Sequence, residues 1–332
     1  MSYSSFELLD RTKPILVFGR DGQVGRALQV CLRDLKIPAV FLGKSDCDLS
    51  NEISLTEALN RYQPQVIMNA AAYTAVDKAE DVAERELAFA INAKAPALMA
   101  RYIANISHGI LVHYSTDYVF ADTKKTAYLE TDATGLIDQL GVYGQSKLLG
   151  EEAIKEAFDV ENAVCNDSNE KLPARYFILR TSWVYGDGCN FIRTMLKLAA
   201  ERYQLEVVAD QVGVPTSAQW LAKVAVQVAE SRVESGVYHA VPDGEVSWHG
   251  LAVFAIEHAA TYGEGIKVKS ENILPIAAVD YPLPAKRPYN SRLSNIKLKQ
   301  ALSDMAFTGQ YPHWQEQVET YVKDYVVTSL KS

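Results

Sequence analysis

Short apolar runs recur along the first half of the chain, each closed by a glycine or polar turn and followed by a stretch of helical periodicity. The run Ile15-Leu16-Val17-Phe18 stops at Gly19 and gives way to a helical pattern over 25–35. A second run, 38–42, precedes a helix over 54–62, and a third, 65–69, precedes a long helix over 82–105. Residues 110–113 and 175–180 continue the strand series, with a helix over 143–157 between them. Unbroken apolar runs suit parallel strands covered on both faces. Strand and helix in alternation predict an α/β chain on a Rossmann-type doubly wound parallel sheet.

Two segments break the rhythm. Residues 159–173 are polar and aperiodic and predict a surface loop. From about residue 183 the elements lose regularity, punctuated by Pro215, Pro242, Pro282, Pro284 and Pro288. The 332 residues suit two units at about 150 residues each. The expected division is a sheet domain over 13–182 and a smaller α/β substrate lobe mainly over 183–325, interleaved with the first.

Composition narrows the partners. Lys+Arg 33 against Asp+Glu 41 leaves a formal charge of −8, which argues against nucleic acid, whose phosphates call for a basic field. No apolar stretch approaches membrane-spanning length. Residues 1–13 lack an apolar core and read as a tail, not a signal peptide. Cys31, Cys47, Cys165 and Cys189 form no CxxC pair, so reduced thiols in a cytoplasmic protein are expected. His108, His113, His239, His249, His258 and His313 are scattered and read as structural or surface groups, with no metal site. Glu151-Glu152 reads as a solvated helix face. The stretch 77–86 reads mostly as helix surface, with Asp77 and Lys78 bracing the loop beside the sheet.

Between the first strand and helix stands Gly19-Arg20-Asp21-Gly22-Gln23-Val24-Gly25. In that setting Gly19 permits a tight turn, Gly22 lets a pyrophosphate approach the backbone, and Gly25 lets helix and strand pack closely. The pyrophosphate then sits on free N–H groups at a helix N-terminus. The sheet domain is thereby expected to bind NAD(P). An acid about 20 residues on would bond a ribose 2′-hydroxyl. Gly43 stands there instead, with Lys44 next to it and Arg20 in the glycine loop. Two cations and no acid favour the 2′-phosphate of NADPH, with NADH left open.

Tyr143-Gly144-Gln145-Ser146-Lys147 opens a helical pattern, and a spacing of four puts Tyr143 and Lys147 on one helix face. A nearby ammonium is expected to lower the phenol from about 10 towards working pH, and such a tyrosine can protonate a carbonyl oxygen as hydride reaches its carbon. Lys147 can also bond the nicotinamide ribose. Ser115 or Thr116, after the strand 110–113, would place a hydroxyl beyond the strand's carboxyl end, where open parallel sheets bind ligands.

Hydroxyl, tyrosine and lysine after a glycine loop resemble the short-chain dehydrogenase set. The motifs at 69–80 (NAAAYTAVDKAE), 115–120 (STDYVF), 180–186 (RTSWVYG), 210–216 (DQVGVPT) and 287–293 (RPYNSRL) resemble, in order, the dTDP-4-dehydrorhamnose reductases, from about residue 13 to 302. The resemblance implies reduction of the C4 ketone of dTDP-4-dehydro-L-rhamnose, a nucleotide sugar, by NAD(P)H. It implies a catalytic group of Thr116, Tyr143 and Lys147, and a pyrophosphate cradle of Gly22, Gln23 and Val24. It puts Asp48 and Leu49 near the adenine, Ala71, Ala72, Thr74 and Tyr114 along the cofactor, and Thr74, Val76, Thr116, Asp117 and Trp183 towards the sugar. Two other readings stay open: reduction of another 4-keto-6-deoxy nucleotide sugar, and a non-catalytic NADP-binding subunit resembling the β subunit of methionine adenosyltransferase.

The chain also departs from the pattern. Some members hold Mg²⁺ with glutamates at a dimer interface, and the matching positions here are Ala27 and Gln219. Neither is a carboxylate, and a hard cation wants charged oxygens, so the metal is not carried over and a homodimer stays open. The approach 133–141 and the loop 159–173 are longer than the family's and would reshape the substrate mouth.

Overall fold

Apolar four-residue strands need neighbours on both edges and cover on both faces. The computed structural model, which describes residues 12–165, 173–263, 265–303 and 311–329, shows how they get both. The first half runs β1 (Ile15–Phe18), α1 (Gln23–Asp34), β2 (Ala39–Leu42), α2 (Glu52–Tyr62), β3 (Val66–Asn69), α3 (Val82–Phe89), a π-turn (Ala90–Lys94), α4 (Ala95–Ala104), β4 (Ile110–Thr116), α5 (Val142–Cys165) and β5 (Arg175–Thr181). The second half runs β6 (Val184–Tyr185), α6 (Phe191–Glu201), β7 (Leu205–Val208), β8 (Val212–Gly213), β9 (Thr216–Ser217), α7 (Ala218–Glu230), β10 (Gly236–His239), β11 (Val246–Ser247), α8 (Trp248–Tyr262), β12 (Ile273–Ile276), β13 (Asn290–Ser291), α9 (Ile296–Ala301) and α10 (Trp314–Ser329).

The main sheet has the order β10-β5-β4-β3-β1-β2 and every pairing in it is parallel. The chain reverses its direction of travel across the sheet between β1 and β3, which creates a crevice at their carboxyl ends. One face is packed by α1 and α7, with Leu28, Leu32, Leu221 and Val224 in its core. The other is packed by α2, α4 and α5, with Leu55, Met99, Ile103, Ile154 and Phe158. Part of the second half thus completes the sheet: β10 extends its edge and α7 covers it. The remaining elements make a separate core in which α6, α8 and α10 meet around Leu196, Leu251, Ile256, Trp314 and Val318.

Three expectations are corrected. The stretch 82–105 is not one regular helix: the π-turn divides it, and Pro96 stands in the first turn of α4. Proline has no N–H for an i→i−4 bond, so a wider turn just before it accommodates the ring. The same bulge directs Asn92 inward, where its amide bonds both backbone groups of Tyr73 and the Ser146 hydroxyl. The expected loop at 159–173 is helical at its start, because α5 runs on to Cys165. Polar residues there continue a helix already anchored by Ile154 and Phe158, so tertiary packing overrides a missing period. Residues 166–172 of that loop and 1–11 of the expected tail lie outside the described residues. Lastly, β4 continues past His113 to Thr116, carrying the hydroxyl residues on the strand itself.

Candidate active site

The glycine turn after β1 is fastened to its neighbours by backbone bonds. Gly19 and Arg20 N–H donate to the Leu42 carbonyl at 3.0 and 3.2 Å, and Ala70 N–H donates to the Phe18 carbonyl at 3.0 Å. Gly19 adopts φ +89°, and a Cβ there would stand 2.6 Å from the Ala70–Ala71 peptide. Gly25 is also obligatory, since its Cβ would lie 1.9 Å from the Gly19 carbonyl oxygen. Helix α1 therefore starts hard against the end of β1. Its N-cap, Gly22, has no side chain to satisfy the first N–H groups, which leaves them available to an anion.

A cavity of about 730 Å³ opens from this turn and runs along the carboxyl ends of β1, β3, β4 and β5. Gly19, Gly22, Gln23, Val24, Lys44, Asp48, Leu49, Ala71, Ala72, Thr74, Tyr114, Tyr143 and Lys147 all line it. A trough that size, with bare helix N–H groups at one end and side chains only at the other, fits a dinucleotide.

Arg20 does not line it. Its guanidinium is 2.5 Å from an Asp46 carboxylate oxygen and 3.1 Å from one of Asp21, two acids the local turn brings within reach. Gly43 is needed for that arrangement, because a Cβ at 43 would meet Asp21 Oδ2 at 2.3 Å.

The far end of the cavity is built by β4 and α5. The first N–H of α5, on Val142, is capped by the Glu80 carboxylate at 2.9 Å. Gly144 lets the helix close on the Tyr118 carbonyl, which a Cβ would approach to 2.4 Å. Tyr143 then lies edge-on to Tyr118, ring centroids 5.5 Å apart. From β4, Thr116 reaches the Tyr143 phenol and donates to Asp117 Oδ1 at 3.2 Å. Ser115 is committed elsewhere, donating to Glu151 Oε1 at 2.6 Å. Of the two hydroxyls left open by the sequence, Thr116 is the one beside the tyrosine.

Electrostatics correct one expectation. Burial pushes Tyr143 up to about 12, outweighing the Thr116 hydroxyl, which favours the phenolate. Lys147 does not lower it as expected: the lysine nitrogen is held by the Tyr114 carbonyl at 2.6 Å and lies 3.1 Å from His113 Nε2. Tyr143 therefore keeps its proton at neutral pH. Burial lowers Lys147 to about 8 against the opposing charge of Glu151. Asp117, 3 % exposed, is raised by burial to about 6, and its Oδ2 has no partner among the described residues.

Some expected site residues stand apart from the cavity. Val76 follows Thr74 by a tight turn, its N–H donating to the Thr74 carbonyl at 2.9 Å. Trp183 adopts φ +47° and stacks on Trp248 at 3.5 Å, with Gly213 against the indole. Its neighbour Val184 lines the cavity instead. Gln219 is exposed and accepts from Ser217, and Ala27 is buried in the sheet core. Among the described residues no group of three or more His, Cys, Asp or Glu could hold a metal ion, and no helix is long and apolar enough to cross a membrane.

One reading of a charged residue is overturned. Glu151 is not on a solvated face: it is fully buried and paired with Arg180 at 2.6 Å. Asp77 braces the far side of the site, accepting from Arg287 at 2.6 Å and from the Ala285 N–H at 3.1 Å. Glu151, His113 and Asn69 were missed as parts of the site. Their partners lie 29 to 44 residues away, at separations that carry no pattern.

The comparisons agree with this geometry. The family model described as the RmlD substrate binding domain matches residues 12–327. The dTDP-4-dehydrorhamnose reductase of Shigella flexneri is 41 % identical over 323 residues, spanning 95 % of this chain and 99 % of the relative. The crystal structure of a dTDP-4-dehydrorhamnose reductase from Clostridium acetobutylicum superposes with a TM-score of 0.78 at 33 % identity, covering 94 % and 99 % of the two chains. One from Bacillus anthracis, solved in complex with NADP, gives 0.76 at 31 % identity over the same shares. With the family model matching residues 12–327 and a relative 41 % identical along nearly its whole length, on a fold whose glycine turn opens a dinucleotide-sized trough, the chain belongs to the dTDP-4-dehydrorhamnose reductase family.

Proposed function

We propose that the protein reduces the C4 ketone of dTDP-4-dehydro-L-rhamnose to dTDP-L-rhamnose with NADPH. The observation that carries this reading is that Tyr143, on the wall of the cavity that starts at the glycine turn, meets the buried Thr116 hydroxyl just behind it. Gly22, Gln23 and Val24 would hold the pyrophosphate at the start of α1, Asp48 and Leu49 the adenosine end, and Ala71, Ala72, Thr74 and Tyr114 the middle. NADPH, when bound, supplies the hydride.

The chain's own residues do the rest. Thr116 and Tyr143 both donate to the ketone oxygen, stabilising the charge that develops there. Tyr143, held protonated by burial, transfers its O–H proton to that oxygen. Lys147, which titrates about 8, returns a proton to the phenolate. Thr74, on the cavity wall, would face the sugar, with Asp117 buried behind Thr116.

The test is NADPH oxidation by the purified protein with dTDP-4-dehydro-L-rhamnose generated in the same tube. Turnover with formation of dTDP-L-rhamnose supports the reading, and tight NADPH binding without turnover overturns it. The pH profile has a definite sign. A lysine lowered to about 8 is charged below that pH and neutral above it, so kcat is expected to fall as pH rises through about 8.

Coenzyme preference gives a second prediction. Lys44 lines the cavity beside Gly43, and Arg20 lies over that glycine from the other side. Lys44→Ala is expected to weaken NADPH binding by about tenfold and leave NADH nearly unchanged, whereas Arg20→Ala, whose guanidinium is held by Asp46 and Asp21 outside the cavity, is expected to change neither by more than about twofold. Equal weakening of both coenzymes in Lys44→Ala would remove the 2′-phosphate from the role of that cation.

A further inference from the structure

His113 lies at the centre of a buried chain of polar groups that ends on Lys147. The imidazole is 1 % exposed on β4. Its Nδ1 is 3.0 Å from Asn69 Nδ2 on β3, and its Nε2 is 3.1 Å from Lys147 Nζ on α5. A histidine flanked by two donors is a conflict, since a neutral imidazole accepts at one nitrogen only.

The rest of the chain resolves it. Asn69 Oδ1 accepts the Ala71 N–H at 3.2 Å, and a backbone N–H can only donate, so that end of the amide is the oxygen. The amide NH₂ therefore faces His113 Nδ1, which must accept. Burial and the neighbouring lysine push His113 well below its usual range, so the ring is neutral. A neutral ring accepting at Nδ1 carries its proton on Nε2, aimed at Lys147. An ammonium has no lone pair to receive that N–H, whereas a free amine has one.

We propose that His113 is a positioning residue for Lys147: Asn69 holds it as the Nε2–H tautomer, and that N–H favours the lysine's uncharged amine over its ammonium. Among the described residues no other group facing Lys147 does this. The Tyr114 carbonyl of β4 accepts from Nζ in either state. Glu151, one turn along α5, favours the ammonium but is neutralised by Arg180 from β5 and bonded by Ser115. Tyr143, on the same helix, keeps its proton.

The consequence rests on the reductase reading, although the tautomer does not. When Tyr143 gives its proton to the sugar oxygen, the phenolate takes one from Lys147: an N–H bond breaks, an O–H bond forms, and the amine left behind accepts from His113 Nε2. The relay starts at Ala71, which lines the cavity, so the cavity wall and Lys147 share one hydrogen-bonded chain.

The experiment is NMR on the intact protein. With ¹⁵N-labelled histidine, assigned by the signal lost in His113→Gln, His113 is expected to show an unprotonated Nδ1 and a protonated Nε2 from about pH 6 to 9. A protonated Nδ1 would overturn the proposal. With ¹³C-labelled lysine, the Lys147 resonance is identified by its loss in Lys147→Arg and titrated. In His113→Gln the amide can turn its oxygen to the ammonium, so the Lys147 midpoint is expected to rise by about one pH unit or more. Asn69→Ala frees His113 to move its proton to Nδ1 and should raise the midpoint in the same direction, even if His113→Gln folds poorly. Unchanged midpoints would sink the idea. The alkaline limb of kcat should move with the midpoint while KM holds. Because the NMR arms need no substrate, they stand or fall separately from the reductase reading.

Discussion

Tyr143→Phe is expected to lower kcat by about 10²- to 10⁴-fold, the usual contribution of a positioned general acid, while NADPH affinity stays within about twofold. The substitution removes one oxygen and little else. The ring keeps its edge contact with Tyr118, and α5 keeps its Glu80 cap and its close approach at Gly144. What disappears is the proton that burial retains on the phenol and its hydrogen bond with Thr116. Steady-state turnover together with NADPH fluorescence titration checks both halves. A variant that keeps more than about a tenth of wild-type kcat would exclude Tyr143 as the proton donor.

Glu151→Gln is expected to cost about 3–5 kcal/mol of stability, a large part of the roughly 5–15 kcal/mol that holds a folded protein. Glu151 is fully buried and receives Arg180 through both carboxylate oxygens, at 2.6 to 3.2 Å, with Ser115 as a third donor. Glutamine matches its shape but leaves the Arg180 guanidinium, 2 % exposed, without a counter-charge. Thermal unfolding should shift down by about 4–7 °C for a chain of this size. The double substitution Glu151→Met with Arg180→Met removes both charges and should recover much of the loss. A loss under 1 kcal/mol for the single variant would show that the pair is not held as described.

The same pair sets an acid limit. Burial raises the Glu151 carboxyl, but Arg180 and Ser115 outweigh it, and the net shift is downward. A carboxylate lowered in the folded state contributes its stability above the ordinary Glu range, about 4.3, and loses it as pH falls through the lower folded value. Glu151→Gln should therefore narrow its deficit against wild type in acid.

The sequence by itself determined whatever depends on near neighbours in the chain. Unbroken apolar runs such as Ile15–Phe18 and Val66–Asn69 can satisfy their backbone only in a covered parallel sheet, and their order with the helices sets the crevice. Gly19 and Gly25 could be assigned because a turn and a helix start six residues apart leave no room for Cβ atoms. The spacing of Tyr143 and Lys147 placed both on one helix face for the same reason.

Only the tertiary structure decided which chemical groups meet across the sheet. Glu151 looked solvated because α5's periodicity does not reveal that Arg180, 29 residues on, reaches it from β5. Arg20 looked free because nothing in the chain shows Asp46, 26 residues away, folding back onto it. Trp183 turned to stack on Trp248, and Tyr143 kept its proton where a neighbouring ammonium was expected to remove it. Burial decides the state of Tyr143, distant partners decide those of Glu151 and Arg20, and a ring stack decides the place of Trp183. The protonation and pairing of a charged group follow from what surrounds it, and those surroundings are assembled from strands and helices that meet only when the chain is folded.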